Sequence, residues 1–118
     1  QARAAAVKDA RIYRKNMAIS IAPSDLKNGA VIAAQAADEL LNISGIKASF
    51  VMCSIKNDVM ISARSLGDIN VQLIMEKLGG GGHQTMAGAQ FSEVPIDEVY
   101  DQLIEAIDEY LEEGAERR

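Results

Sequence analysis

Tryptophan is absent from this 118-residue chain, and histidine and cysteine occur once each. A single cysteine excludes an internal disulfide and a cysteine-built zinc site, and it fits a reduced, intracellular setting. Cys53 lies in the apolar run 50–53 without a basic neighbour, so we expect a structural role rather than nucleophilic catalysis. One histidine with scattered acids also falls short of the converging ligands that a catalytic two-metal site needs. We therefore expect the isolated chain to bind a ligand without catalysing a reaction.

Long apolar runs are missing as well. No stretch approaches the roughly 20 residues of a membrane span, and a signal-peptide pattern is lacking, so we expect the chain as given to be soluble. It begins with Gln1 rather than Met, which suggests a piece of a longer polypeptide. The length allows one domain, and hydrophobic residues make up 48% of the chain, which is enough material for its core.

Positively charged residues are few: the chain has 12 Lys and Arg residues and 17 Asp and Glu residues, which gives a net charge of −5. This acidity argues against binding duplex DNA through broad neutralisation of phosphates. The net charge is +4 over residues 1–15, −1 over 16–92 and −8 over 93–118. Apolar residues recur every three or four positions between the C-terminal acids, which predicts a helix with a solvated acidic face. We therefore expect a functional site in the nearly neutral middle.

The rest of the chain alternates between strand-like and helix-like segments. In chain order, the pattern predicts a strand at 17–22, a helix at 28–42, strands at 47–55 and 59–64, a helix from Asn70 to Leu78, a short strand near 90–91 and a helix from Pro95 to Gly114. Asn57 and Asp58 between the paired strands tolerate the positive φ of a tight turn. We expect a single-domain α/β fold over residues 16–118, a mixed β-sheet with helices packed on it, after a helical tail or connector over 1–15.

Four consecutive glycines, residues 79–82, precede the only histidine, His83. Each glycine costs about 0.5–1 kcal/mol relative to alanine, so four together imply that something approaches the backbone closely. The N–H groups of Gly80, Gly81 and Gly82 could line a concave anion site, and a helix beginning at His83 would add its dipole. The His83 ring would donate to a phosphate, more strongly when protonated. The alternative is a plain connection between two helices with a surface histidine beside it.

Two further residues are candidates for the same site. Arg64 ends an otherwise apolar strand beside Ser65, and its planar guanidinium suits a phosphate or a carboxylate. A solvent-exposed terminal arginine is the alternative. Asn70 is the weaker candidate, because a helix cap accounts for it fully.

Three segments, Ser62–Ser65, Ile69–Gln72 and Gly79–His83, followed by Ala87-Gly88, together resemble the C-terminal substrate-binding domain of DHH-family phosphoesterases. The resemblance covers residues 17–111. It is strongest to the GdpP-type, membrane-anchored cyclic di-AMP phosphodiesterases of Gram-positive bacteria.

This resemblance implies a division of labour. A separate upstream DHH domain, absent from this sequence, would hold two manganese ions and perform the hydrolysis, and this chain would hold no metal. The glycine run with His83, together with Arg64, would bind the phosphates of a cyclic dinucleotide or short oligonucleotide. We further expect a cytoplasmic domain of a membrane-anchored protein, joined to the rest through its basic N-terminal residues, and a homodimer.

Two other functions stay open on the sequence alone. Within the family, the chain would be the binding half of an oligoribonuclease or of a 3′-phosphoadenosine phosphate phosphatase. Linear RNA would favour stacking aromatics, and the few aromatic residues here look like core. From a different class, the chain would be a tRNA-binding module like that of alanyl-tRNA synthetases, against which its acidity counts.

Overall fold

The computed structural model describes residues 1–116, which form a mixed sheet of six strands with four helices packed on it. In chain order the elements are α1 (Ala2–Lys8), β1 (Arg11–Tyr13), β2 (Met17–Ile21), α2 (Gly29–Leu40), β3 (Ala48–Ile55), β4 (Asp58–Ser65), α3 (Val71–Lys77), β5 (Gly81–His83), β6 (Met86–Ser92) and α4 (Ile96–Glu116). The expected single-domain α/β fold with a mixed sheet is confirmed.

The six strands lie in the order β1-β2-β3-β4-β6-β5. β2 and β3 are parallel, because α2 crosses over between them, whereas the other neighbouring strands pair antiparallel. β1 and β5 are therefore the edge strands, and each has three residues. Short edges of this kind limit pairing with other chains. The glycine run and His83 thus lie at one edge of the sheet.

The two faces of the sheet carry different cores, because successive residues of a strand point to opposite faces. The face toward α3 and α4, called here the α3–α4 face, buries large side chains such as Phe50, Met52, Leu103 and Ile107. The face toward α1 and α2, called the α2 face, has a smaller core with many alanines: Ala6, Ala18, Ala22, Ala33, Ala36 and Ala37. These small side chains let α2 lie close to β3 and β4.

The C-terminal helix α4 has the predicted amphipathic pattern, with Val99, Leu103 and Ile107 in the α3–α4 core. Two of its acids form ion pairs with Lys77 of α3, at 3.0 Å to Glu109 and 2.7 Å to Glu113. Hydrogen bonds to Glu113 and Glu109 raise the pKa of Lys77. These contacts tie α3 to α4 and leave most of the other acids on the outer side.

The predicted end of α4 at Gly114 is wrong, because the helix continues to Glu116. Gly114 is exposed and does not adopt a positive φ. A glycine inside a helix costs only about 1 kcal/mol relative to alanine, which the surrounding good helix formers offset.

The hairpin turn between β3 and β4 differs in detail from the prediction. Its positive φ, 55°, falls on Lys56 rather than on Asn57 or Asp58. The backbone N–H of Lys56 donates to a carboxylate oxygen of Asp25 at 2.8 Å, which stabilises this conformation. A contact from a distant part of the chain therefore selects the residue that adopts the left-handed conformation.

Residues 1–15 pack against the rest of the domain. Ala6 of α1 is buried, and its carbonyl accepts a hydrogen bond from the hydroxyl of Ser20 at 2.5 Å. The Tyr13 hydroxyl donates to the Asp108 carboxylate at 2.5 Å, and Arg14 contacts the same oxygen at 3.0 Å. The division into connector and domain at residue 15 stays a prediction.

Candidate functional site

Arg64 and His83 come together in one row across three strands. β4 pairs with β6 so that Arg64 lies opposite Met86, and β6 pairs with β5 so that Met86 lies opposite His83. Directly paired residues of antiparallel strands point to the same face of the sheet. At the usual strand spacing, the two outer Cα atoms of the row are about 10 Å apart.

This row lies on the α2 face, at the margin of the area that α2 covers. The neighbours Ala63 and Ala87 point the other way, into the α3–α4 core. Seven residues on this side of β4, β6 and β5 are called here the open strip: Ser62, Arg64, Gly81, His83, Met86, Gly88 and Gln90. Asp58, Met60 and Ser92 share this side at the far end of β4 and β6 and are not included. Met86 is 52% exposed although its side chain is apolar. The open strip therefore combines two side chains that can donate to a phosphate with an apolar contact surface between them.

The glycines of the run have different surroundings. A Cβ on Gly80 would lie 2.1 Å from the carbonyl oxygen of Gly88, and a Cβ on Gly82 would lie 2.5 Å from that of Met86. A Cβ on Gly81 would have nothing within 4 Å. The close approach that four glycines imply is therefore made by strand β6, at Gly80 and Gly82. Gly81 has free space beside it and leaves its backbone accessible on the open strip.

His83 does not begin a helix, so the prediction of a helix dipole at this point is wrong. It is the last residue of β5, and the chain turns at Gln84 and Thr85 into β6. The backbone is extended here because each residue of Gly81–His83 pairs with β6. Within the described residues, no strand pairs with the outer side of β5. Its outward backbone groups, rather than a helix end, are therefore open to a ligand.

The turn after His83 is anchored by the last residue of β4 and the first residue of α3. The backbone N–H groups of Val71 and Ser65 donate to the carbonyl oxygens of Gln84 and Thr85, each at 3.0 Å. The His83 side chain itself is exposed. Across the described part of the chain, its ring takes part in no side-chain hydrogen bond or ion pair. The fold thus fixes the position of His83 and leaves both ring nitrogens accessible.

Arg64 is mostly buried and is held within the protein. Its side chain is 12% exposed, and Nε donates to a carboxylate oxygen of Asp38 on α2 at 2.9 Å. Nη1 donates to the carbonyl oxygen of Ala63 at 3.0 Å. A freely exposed terminal arginine does not describe this side chain, and its role toward phosphate stays a prediction.

Asn70 lies at the start of α3, and its predicted capping role is confirmed. Its Oδ1 accepts a hydrogen bond from the N–H of Leu73 at 3.2 Å. Its own backbone N–H donates to the hydroxyl of Tyr110 at 2.9 Å. The cap accounts for the side chain, and a part for Asn70 in ligand binding stays a prediction.

Sequence reasoning did not single out Met86 or Asp38. The alternation of buried Ala87 and Ala89 with Met86 and Gln90 is a strand signal that would have placed Met86 on the opposite face from the core. No local signal exists for Asp38, because its partner Arg64 is 26 residues away.

Two further features concern metal binding and membrane insertion. Among residues 1–116, no group of three or more His, Cys, Asp and Glu side chains lies together so as to hold a metal ion. These residues do not fit a two-manganese centre, and no metal-dependent step is assigned to them. No helix in the described range has the length and apolar character to cross a membrane.

Comparison with known proteins assigns the family. Residues 14–113 match the DHHA1 domain. The chain belongs to the DHHA1 domain family. This DHHA1 domain is 53% identical over 106 residues to the cyclic-di-AMP phosphodiesterase PdeA of Listeria monocytogenes, covering 88% of the chain and 16% of PdeA. It is 50% identical over 114 residues to the cyclic-di-AMP phosphodiesterase GdpP of Geobacillus thermodenitrificans, covering 95% of the chain and 17% of GdpP.

Other matches are more distant. A bifunctional oligoribonuclease and PAP phosphatase, NrnA of Thermus thermophilus, is 36% identical over 69 residues, covering 58% of the chain and 21% of NrnA. An exopolyphosphatase-related protein from Bacteroides fragilis superposes with a TM-score of 0.70 at 18% identity, covering 94% of this chain and 33% of that one. That likeness shows the fold alone. The resemblance to GdpP-type proteins is confirmed, and the chain spans about a sixth of their length.

Proposed function

We propose that this DHHA1 domain binds the phosphate groups of cyclic di-AMP for a phosphodiesterase whose catalytic domain lies elsewhere in a longer polypeptide. PdeA and GdpP are cyclic-di-AMP phosphodiesterases that extend far beyond the part aligned with this chain, and this supports the proposal. In this proposal a separate DHH domain would hold manganese and cleave the phosphodiester bond, and the DHHA1 domain would supply substrate contacts. A membrane anchor, in this proposal, belongs to a segment outside the present sequence.

The observation that carries the proposal is the cross-strand row of Arg64, Met86 and His83. Cyclic di-AMP has two phosphodiester groups in one ring, and the row offers two N–H-bearing side chains with an apolar surface between them. An arginine forms charge-assisted hydrogen bonds with phosphate oxygens, and a histidine ring N–H donates to them. Gly81 has no side chain, so a ligand can approach the backbone beside the row.

The charge distribution is compatible with an anionic ligand in spite of the net charge of −5. The seven residues of the open strip include no Asp or Glu, and two carboxylates contact them, Asp38 at Arg64 and Asp58 at Gln90. The acids of α4 lie beyond the α3–α4 face, on the other side of the sheet. Layers packed on a sheet are about 10 Å away from it, and the Debye length at physiological ionic strength is about 8 Å. Screening therefore keeps most of the acidic potential of α4 away from the open strip.

Short linear RNA is the second candidate ligand, because NrnA combines oligoribonuclease and PAP phosphatase activities. Proteins that hold single-stranded RNA stack its bases on aromatic side chains. The open strip contains no Phe, Tyr or Trp. This composition favours a cyclic dinucleotide held mainly through its phosphates.

The test replaces His83 in the longer polypeptide that carries this domain. His83→Ala is expected to lower kcat/KM for cyclic di-AMP about 100-fold, the loss typical of removing one donor to a developing oxyanion. Its melting temperature should match that of the wild type, because the ring is exposed and makes no protein contact of the kinds described above. Steady-state hydrolysis and thermal unfolding measure the two quantities.

Lys56→Ala is the matched control, since it removes an exposed cation from the β3–β4 turn, which lies beyond the other end of β4. Its kcat/KM should equal that of the wild type. Wild-type kinetics in His83→Ala would remove His83 from the site. Faster turnover of a linear diadenylate than of cyclic di-AMP by the unaltered protein would favour the oligoribonuclease function instead.

A further inference from the structure

Asp38 contacts the proposed site through Arg64. Its carboxylate oxygen accepts from Nε of Arg64 at 2.9 Å, and its side chain is 61% exposed whereas that of Arg64 is 12% exposed. An ion pair with one partner so exposed to water adds little to stability. The direction in which the guanidinium points is therefore the property that Asp38 is best placed to control.

Ser49 holds α2 at the distance from the sheet that the contact between Asp38 and Arg64 requires. It lies on β3 directly opposite Arg64. Its buried hydroxyl donates to the carbonyl oxygen of Ala37 at 2.6 Å, one residue before Asp38. Alanines at 33, 36 and 37 are fully buried and let the helix lie close to the sheet. The hydrogen bond from Ser49 and the packing of these alanines therefore place Asp38 next to Arg64, independently of the ion pair.

Two fixed contacts determine the orientation of the guanidinium. Nε is bound by Asp38, and Nη1 by the carbonyl oxygen of Ala63. Because the group is planar and its five N–H bonds form a rigid fork, fixing two of them also fixes the direction of the others. Within residues 1–116, Nη2 has no hydrogen-bond partner. A donor that is held in place and unoccupied binds phosphate without first being ordered.

We propose that Asp38 is a positioning residue that holds Arg64 in the orientation that binds a substrate phosphate. This inference rests on the proposed function of the open strip. The opposite effect is a distinct alternative, in which Asp38 competes with the phosphate for the guanidinium. The contact geometry favours positioning, because Asp38 takes Nε and leaves Nη2 unoccupied.

Kinetics of the longer polypeptide distinguish the two effects by sign. Asp38→Ala is expected to raise KM for cyclic di-AMP about 10-fold, a coupling within the range found for contacting residues. Asp38→Asn keeps an oxygen acceptor for Nε and should recover most of that loss. In an Arg64→Ala background, which has no cationic donor for Asp38, Asp38→Ala should cause no additional rise in KM. A purely structural role would give neither the recovery nor this dependence on Arg64.

The matched control is Glu39→Gln, which removes a 3.4 Å ion pair with Arg3 from the same helix. Its KM should stay at the wild-type value. An unchanged or lower KM in Asp38→Ala, with a raised KM in Arg64→Ala, overturns the positioning role and leaves the proposed function in place. A wild-type KM in Arg64→Ala removes Arg64 from the site. That result overturns the positioning role of Asp38 and also the proposed function of the row that contains Arg64.

Discussion

The two faces of the sheet differ in the size of the side chains that cover them, and this difference separates stability from binding. The α3–α4 face is filled by large residues such as Phe50 and Leu103, which supply most of the apolar burial. The α2 face is covered largely through alanines, and the cover reaches β4 but ends before β6 and β5. Because little packing depends on the β5 and β6 residues of the open strip, their side chains are available to a ligand.

The same division occurs within the single strand β6. Ala87 and Ala89 are buried in the α3–α4 core, whereas Met86 and Gln90 are exposed on the other side. One strand therefore contributes to the core with one set of residues and to the candidate site with the alternate set. Substitutions at neighbouring positions should then affect different properties of the protein.

The largest effect is expected on the α3–α4 face. Phe50 is fully buried, so Phe50→Ala should lower the free energy of unfolding by about 3–5 kcal/mol. Met86→Ala, on the open strip, should change it by at most about 0.5 kcal/mol. Urea unfolding of the two variants measures this contrast. Comparable losses in both would contradict the separation of the two faces.

A smaller effect is expected inside the glycine run. In Gly80→Ala the new Cβ would lie 2.1 Å from the backbone oxygen of Gly88, so β5 and β6 must move apart, at a cost of about 1–3 kcal/mol. Gly81→Ala meets no atom within 4 Å and should leave the melting temperature almost unchanged. It should nevertheless raise KM for cyclic di-AMP, because a methyl group then stands on the open strip.

Thermal unfolding of the two variants, and steady-state kinetics of the same variants in the longer polypeptide, provide the measurement. Equal destabilisation by Gly80→Ala and Gly81→Ala would show that the whole run is packed. Wild-type KM in Gly81→Ala would show that the ligand does not approach this part of the backbone.

The sequence predicted the elements whose residues repeat often enough to form a pattern. The helices α2, α3 and α4 and the β3–β4 hairpin each contain several periods of apolar residues. β1 and β5 were missed because three residues carry too little periodicity, and their conformation depends on pairing with β2 and β6. The helix expected at His83 was wrong for the same reason.

The candidate site could be predicted only in part. Residue chemistry was sufficient to single out Arg64 and His83, and the glycine run indicated a close approach of backbone. The row that joins them depends on the register of β4, β6 and β5, which no local pattern specifies. The contact of Asp38 with Arg64 likewise depends on how far α2 lies above the sheet.

The smallest effect concerns Cys53, which is buried beneath α2 on the α2 face. Burial raises the pKa of its thiol above the ordinary value. An unfolded thiol ionises near pH 8.5, whereas the folded one stays protonated, so the stabilisation is fully present below about pH 8.5 and is lost as the pH rises through the raised pKa.

Wild type and Cys53→Ala are therefore expected to show parallel melting temperatures between about pH 6 and 8. Above about pH 8.5 the melting temperature of the wild type should fall slightly more than that of Cys53→Ala. The reason is that the unfolded wild type is stabilised by releasing the thiol proton, whereas its folded state keeps that proton. Lysine and tyrosine side chains titrate equally in both proteins and cancel in the difference. Curves that stay parallel up to about pH 10 would mean that the folded thiol ionises as readily as the unfolded one. The alanine-lined contact between α2 and the sheet would then admit water, and the two faces would differ in hydration as well as in side-chain size.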